Sequence, residues 1–107
     1  MRNIDKFIEI LFNYESRNAI FEGLKIYRYS DLSNRILIYN KKLESLDIKP
    51  GGVVFILGDY SIETIALFFS LALNNNIIVP VTSDNQEEIN NRIDVVSPNW
   101  ILNLKED

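Results

Sequence analysis

The stretch Val53-Val54-Phe55-Ile56-Leu57-Gly58-Asp59-Tyr60-Ser61-Ile62-Glu63-Thr64-Ile65-Ala66-Leu67-Phe68-Phe69-Ser70-Leu71-Ala72-Leu73-Asn74-Asn75-Asn76-Ile77-Ile78-Val79-Pro80-Val81 decides the fold. It opens on an unbroken apolar run, the pattern of a strand buried on both faces rather than one that alternates between core and water. Asp59 or Ser61 then caps a helix, because a short polar side chain there can accept an orphan backbone N–H. Ile62, Ile65, Ala66, Phe69 and Leu73 form its stripe, while Leu67, Phe68 and Leu71 make it apolar over much of its girth, so it expects cover on more than one side. Asn74-Asn75-Asn76 ends it, since asparagine tolerates the left-handed backbone of a helix C-terminus. Ile77–Val81 reads as a second buried strand, and strand–helix–strand of this length is a crossover unit of a parallel sheet.

Working outward, Leu32, Ile36, Tyr39, Leu43 and Leu46 mark an amphipathic helix with Ser30 as the expected cap. Lys49-Pro50-Gly51-Gly52 closes that unit, because proline cannot continue a helix and glycine permits a tight reversal. On the other side, Ser83 to Gln86 and Asp84 to Glu87 are overlapping capping-box patterns. They predict a helix over about 85–96 with Ile89, Ile93 and Val96 inward, ended by Pro98, before a short strand at Trp100-Ile101-Leu102. Near the start, Ile4, Phe7, Ile8, Leu11 and Phe12 predict a helix over 3 to about 14. Ala19 to Phe21 and Leu24 to Tyr29 predict a hairpin about Glu22-Gly23. The expected fold class is α/β: a three-stranded parallel core with crossover helices, preceded by an N-terminal helix and β-hairpin. A chain of 107 residues has room for one such domain, spanning 1–107.

Composition excludes several functions. With 47% hydrophobic and 24% charged residues the chain is an ordinary globular one. Its net charge of −4 disfavours nucleic acid, whose binding needs clustered Lys and Arg; Lys41, Lys42 and Lys49 read as a solvated face. Absence of Cys removes disulfides, thiolate nucleophiles and zinc–thiolate sites; absence of His removes the usual general base near neutral pH. No secretory signal is recognisable at the start, and the apolar run Ile65–Leu73 is far short of the roughly 20 residues a membrane span requires. A cytoplasmic protein without membrane or nucleic-acid partners is the expectation.

Residue by residue, no catalytic constellation emerges. Ser61 lacks a G-x-S-x-G elbow and reads as a cap. Asp59 follows a buried strand, where open α/β sheets place ligands, so a phospho-acceptor or magnesium ligand is a second reading. A phospho-receiver would also need an acidic pair and a later lysine, and that pattern is missing. Lys49-Pro50-Gly51-Gly52 precedes a strand, whereas phosphate loops lie between a strand and its following helix. Asp84, Glu87, Glu88 and Asp94 have no second cluster to complete an oxygen shell. Tyr27, Tyr29, Tyr39, Tyr60 and Trp100 could stack on a base or sugar, but suit the ends of core elements, rings inward and polar tips in water.

The order and spacing of these pieces from Ile26 to Leu102 resemble the N-terminal part of the AMP-forming acyl and aryl acid ligases, the adenylate-forming superfamily. The pieces are Tyr29-Ser30-Asp31-Leu32, Leu46-Asp47-Ile48-Lys49-Pro50-Gly51, Asp59-Tyr60-Ser61-Ile62-Glu63 and Ile77-Ile78-Val79-Pro80. Gly52 stands where the family usually has Asp, Asn75 where it usually has Gly, and Ser83-Asp84 where a proline is common, which marks a divergent member. The resemblance implies a parent enzyme that uses ATP and Mg2+ to make an acyl-adenylate and passes the acyl group to coenzyme A or a carrier phosphopantetheine. It also implies that the ATP loop, magnesium glutamate and catalytic lysine lie beyond Asp107. No catalytic, cofactor-binding or metal residue can therefore be assigned in this chain, which is expected to be an inactive structural piece. Its expected partners are the remainder of the ligase and, through exposed sheet edges, itself. The rival expectation is a self-sufficient, non-catalytic α/β binding or interaction module.

Overall fold

The computed structural model describes residues 18–22, 25–59, 61–81 and 85–104. The helix expected over 3–14, Gly23, Tyr60 and the Ser83-Asp84 caps lie outside these. Strands β1 (Asn18–Glu22) and β2 (Lys25–Arg28) pair antiparallel, with Glu22 opposite Lys25, as the hairpin pattern predicts. Helix α1 (Tyr29–Ser45) follows with no intervening residue. Its N-cap is therefore Arg28, not the expected Ser30, which falls inside the first turn. The Asp31 carboxylate reaches back to accept the Arg28 N–H at 2.8 Å, so an acid three residues in does the capping work.

The chain leaves α1 through Asp47, whose φ of 58° is left-handed, and Gly51 adopts φ 88° in the turn that follows. An Asp tolerates that region as a single residue; at Gly51 a side chain would be strained although the space around it is open. Strand β3 (Val53–Leu57), helix α2 (Ile62–Leu73), strand β4 (Ile77–Val81), helix α3 (Gln86–Val96) and strand β5 (Trp100–Asn103) complete the described chain. The three strands form one parallel sheet in the order β4-β3-β5, with Phe55 level with Val79 on one side and Ile101 on the other.

That order reverses the direction of growth after β4, and two crossovers of one hand then place their helices on opposite faces. The packing agrees. Val54 and Ile56 of β3 join Leu32, Ile36, Tyr39 and Leu43 of α1 and Ile62, Ala66, Leu67 and Leu71 of α2 in the larger core. Phe55 and Leu57 point the other way and meet Val81 and Ile89, with Ile93 partly buried beside them. Alternation along one strand thus feeds two cores.

Two expectations about burial need correction. β4 is an edge strand, not a buried one: Ile77 is 57% exposed and only Val81 is buried. Runs such as VVFIL and IIVPV look alike in sequence, and only sheet order tells a centre from an edge. Val96, expected inward, is exposed, because α3 covers just the β3–β4 side and its last turn overhangs. On α2 the expected cover reaches most of the girth but leaves Phe68 exposed.

Candidate functional site

In an open α/β sheet the natural ligand position lies beyond the carboxyl ends of the strands, where the strand order reverses. Here that is the end of β3, flanked by the start of α2 and the end of β5. Gly58 sits at its centre. A Cβ there would come within 3.0 Å of Thr64 Oγ1 and 3.2 Å of Leu104 Cβ, so the absent side chain lets the β3–α2 turn and the end of β5 close up. The Gly58 N–H donates to Val81 O at 3.2 Å, and the Leu104 N–H donates to Leu57 O at 2.7 Å, locking all three strand ends together.

Ser61 is the N-cap of α2, as expected: its Oγ accepts the Thr64 N–H at 3.1 Å. Thr64 in turn donates its hydroxyl to the Asp59 carbonyl at 2.7 Å. Both hydroxyls that a phosphate or magnesium ion would seek are thus engaged in building the helix start. The Asp59 side chain is exposed and does not cap; among the described residues no group of three His, Cys, Asp or Glu side chains could hold a metal. The described residues do not fit an ATP–magnesium group.

The remaining sequence candidates scatter. Glu88 pairs with Arg92 at 2.9 Å along α3, and Asn85, not Ser83 or Asp84, is the cap observed for that helix, its Oδ1 accepting from Glu87 and Glu88 N–H groups. Lys49 pairs with Asp47 on the surface at 2.7 Å. Trp100 packs on the larger core and Tyr39 is buried in it. No two of the aromatic rings singled out in the sequence are brought together as a stacking platform among the described residues.

Two constellations escaped the sequence reading. One joins α1 to α2: Arg35 Nε donates to Glu63 Oε1 at 2.8 Å, and the Tyr39 hydroxyl donates to Glu63 Oε2. Arg35 also lies 5.3 Å from the Tyr27 ring, tying in the hairpin, and Lys42 lies 5.2 Å from the Tyr39 ring. Burial disfavours the Glu63 carboxylate, yet the Tyr39 and Arg35 hydrogen bonds and the charges of Arg35 and Lys42 outweigh it and hold the carboxyl below its ordinary range. Burial, then the bond to and charge of Glu63, push the Tyr39 phenol upward. A tyrosine inside an apolar stripe was the available signal, since its buried hydroxyl must find a partner.

The other is an asparagine clamp at the opposite end of the sheet. Asn74 Nδ2 donates to Ile48 O at 2.9 Å and Asn76 Nδ2 to Lys49 O at 2.8 Å, while Asn75, at φ 58°, offers its carbonyl to the Gly51 N–H. The asparagine run therefore ends α2 and also holds the turn before β3. A cavity of about 440 Å3 lies beside it, lined by Asn40, Leu43, Asp47, Ser70 and Asn74. The wholly buried Ser70 hydroxyl at its wall donates to Asn40 Oδ1, so it is satisfied from within.

The chain matches no protein-family model and no curated protein sequence. Its backbone matches the N-terminal subdomain of Klebsiella oxytoca NpsA in complex with 3-hydroxyanthranilyl-AMSN, with a TM-score of 0.84 and 19% identity over 94% of this chain. Its fold is that of the N-terminal portion of the adenylate-forming enzymes. IdnL1 gives a TM-score of 0.82 and 25% identity over 95% of the chain. The anthranilate CoA ligase AuaEII, in complex with anthranoyl-AMP, gives 0.76 and 18% over 90%. This chain spans 26%, 21% and 20% of those three chains. No helix among the described residues is long and apolar enough to cross a membrane.

Proposed function

We propose that this chain is the N-terminal α/β portion of an AMP-forming acid ligase and works as scaffold, not catalyst. The carrying observation is the match of 94% of the chain to the NpsA N-terminal subdomain at a TM-score of 0.84. In the proposed reaction a carboxylate oxygen attacks the α-phosphorus of ATP and expels pyrophosphate, giving an acyl-adenylate. A thiol of coenzyme A or a carrier phosphopantetheine then attacks the acyl carbon and expels AMP. Aryl acids are the first substrates to try, because the matched NpsA structures hold hydroxyanthranilyl and hydroxybenzoyl ligands and AuaEII holds anthranoyl-AMP.

A second reading, a self-sufficient interaction module, draws support from the finished interior: among the described residues no buried side-chain polar atom lacks a partner. ATP–pyrophosphate exchange with a panel of aryl acids separates the two. Residues 1–107 alone should show no exchange, and the complete genomic reading frame should show it. Exchange by residues 1–107 alone overturns the scaffold assignment; no exchange and no ATP binding by the complete product favours the module.

A further inference from the structure

The hairpin of β1 and β2 is a two-stranded sheet of its own, and neither strand pairs with the β4-β3-β5 sheet. Two strands alone are marginally stable in water, so the hairpin depends on its contacts with the rest of the molecule. Ile20 is one anchor, buried in the larger core, with Tyr27 partly buried against that core. Arg35 of α1 is another. Its guanidinium lies over the Tyr27 ring, 5.3 Å from the centroid.

That guanidinium is oriented from its edge. Nε donates to Glu63 Oε1 at 2.8 Å, and Nη1 donates to the Asp31 carbonyl at 3.4 Å. A planar guanidinium can give its edge to a carboxylate and its face to an aromatic ring at once. Glu63 is fixed in turn by the Tyr39 hydroxyl on its other oxygen. The contacts thus form a chain, Tyr39 to Glu63 to Arg35 to Tyr27, which crosses from α1 to α2, back to α1 and on to β2. Among the described residues no hydrogen bond, ion pair or ring contact joins Tyr27 to Glu63 directly. Without Glu63 the long arginine side chain regains rotamer freedom, and its hold on the ring weakens.

We propose that Arg35 is a latch: through it the first turn of α2 sets how firmly the hairpin is held against α1. Glu63 belongs to that first turn, beside the carboxyl edge of the sheet, where open α/β sheets place their ligands. A disturbance there is transmitted to a hairpin that Glu63 itself does not touch. The latch is independent of the ligase reading, since it rests on these side-chain contacts alone.

Native-state hydrogen exchange of the chain, read amide by amide by NMR, tests the latch against a merely structural ion pair. In the wild type, β1 and β2 should exchange faster than β3, because the hairpin opens without global unfolding. Tyr27→Leu keeps an apolar contact but removes the ring. It should raise hairpin exchange relative to β3 about two- to fivefold, the change that an exposed cation–π contact is worth. Tyr27→Phe keeps the ring and should exchange like the wild type, since the Tyr27 hydroxyl has no hydrogen-bond partner among the described residues. Glu63→Ala should raise hairpin exchange by a similar factor. The double variant Tyr27→Leu with Glu63→Ala should add nothing further, because both substitutions break one chain. Three results overturn the latch: hairpin and β3 amides exchanging at one rate in the wild type, hairpin exchange unchanged by Glu63→Ala, or effects that multiply in the double variant.

Discussion

On one face of the sheet two helices, α1 and α2, bury a continuous core reaching from Ile20 to Leu71; on the other, among the described residues, α3 is the helix that covers a cluster of Phe55, Leu57, Val81 and Ile89. The polar anchoring is as uneven. The Arg35–Glu63–Tyr39 network and the Asn40–Ser70 bond both lie between α1 and α2, whereas the Gln86–Asn90 and Glu88–Arg92 bonds run along α3 itself. A sheet with one thick and one thin cover concentrates its stability on the thick side, because apolar burial scales with the area removed from water. The expectation is that the thin side opens first, which hydrogen exchange reads as lower protection in α3 than in α2.

Core truncation should expose the asymmetry most strongly. Leu71→Ala empties a wholly buried site between α1, α2 and the sheet and should cost about 3–5 kcal/mol of unfolding free energy; Ile89→Ala should stay near about 2 kcal/mol, because α3 can settle inward. Urea denaturation reads both, and equal losses would break the comparison. Next in size come the caps. Ser61→Ala and Asn85→Ala each remove a side-chain acceptor for backbone N–H groups, at about 1 kcal/mol. Local hydrogen exchange sharpens the contrast: loss of the Ser61 cap should be felt across the molecule, loss of the Asn85 cap chiefly within α3.

The smallest effect is electrostatic. Glu63→Gln should cost about 0.5–1 kcal/mol near neutral pH, modest because the side chain is 47% exposed. Its signature lies in acid. A carboxyl held below its ordinary pKa of 4.5 contributes stability above that value and loses it as pH falls through the depressed one. The variant should therefore show a flatter acid limb than the wild type in pH-dependent melts. An unchanged limb would remove Glu63 as an anchor between the two helices. The phenol of Tyr39 has the opposite sense: its contribution is present below pH 10 and is lost only as pH climbs through the raised pKa.

Much of this architecture is written locally. The bounds of β3 and β4, the Ser61 cap and the turn at Gly51 follow from apolar runs, capping preference and glycine's freedom, all short-range properties. Helix α1 shows where locality runs out: Ser30 is a sound cap in isolation, but the hairpin delivers Arg28 to the helix start and Asp31 completes the job. Of the candidate site, the Ser61 cap and the place of Asp59 just after β3 were legible, because both follow from residue order along the chain. That Thr64 and Ser61 are spent on each other and on Asp59 was not legible, because it depends on how tightly Gly58 lets the turn close.

The sequence by itself determined the succession of helices and strands and the class of fold, because periodicity, caps and turns act within a few residues along the chain. Tertiary structure alone decided the order β4-β3-β5, and with it which apolar run became an edge and which helix shares a core with α1. It also decided that Arg35, Tyr39 and Glu63 meet, though Glu63 lies 28 residues from Arg35 and 24 from Tyr39 along the chain. Those outcomes rest on contacts between distant segments, whose free energy exists only once the sheet and its helices have closed on one another.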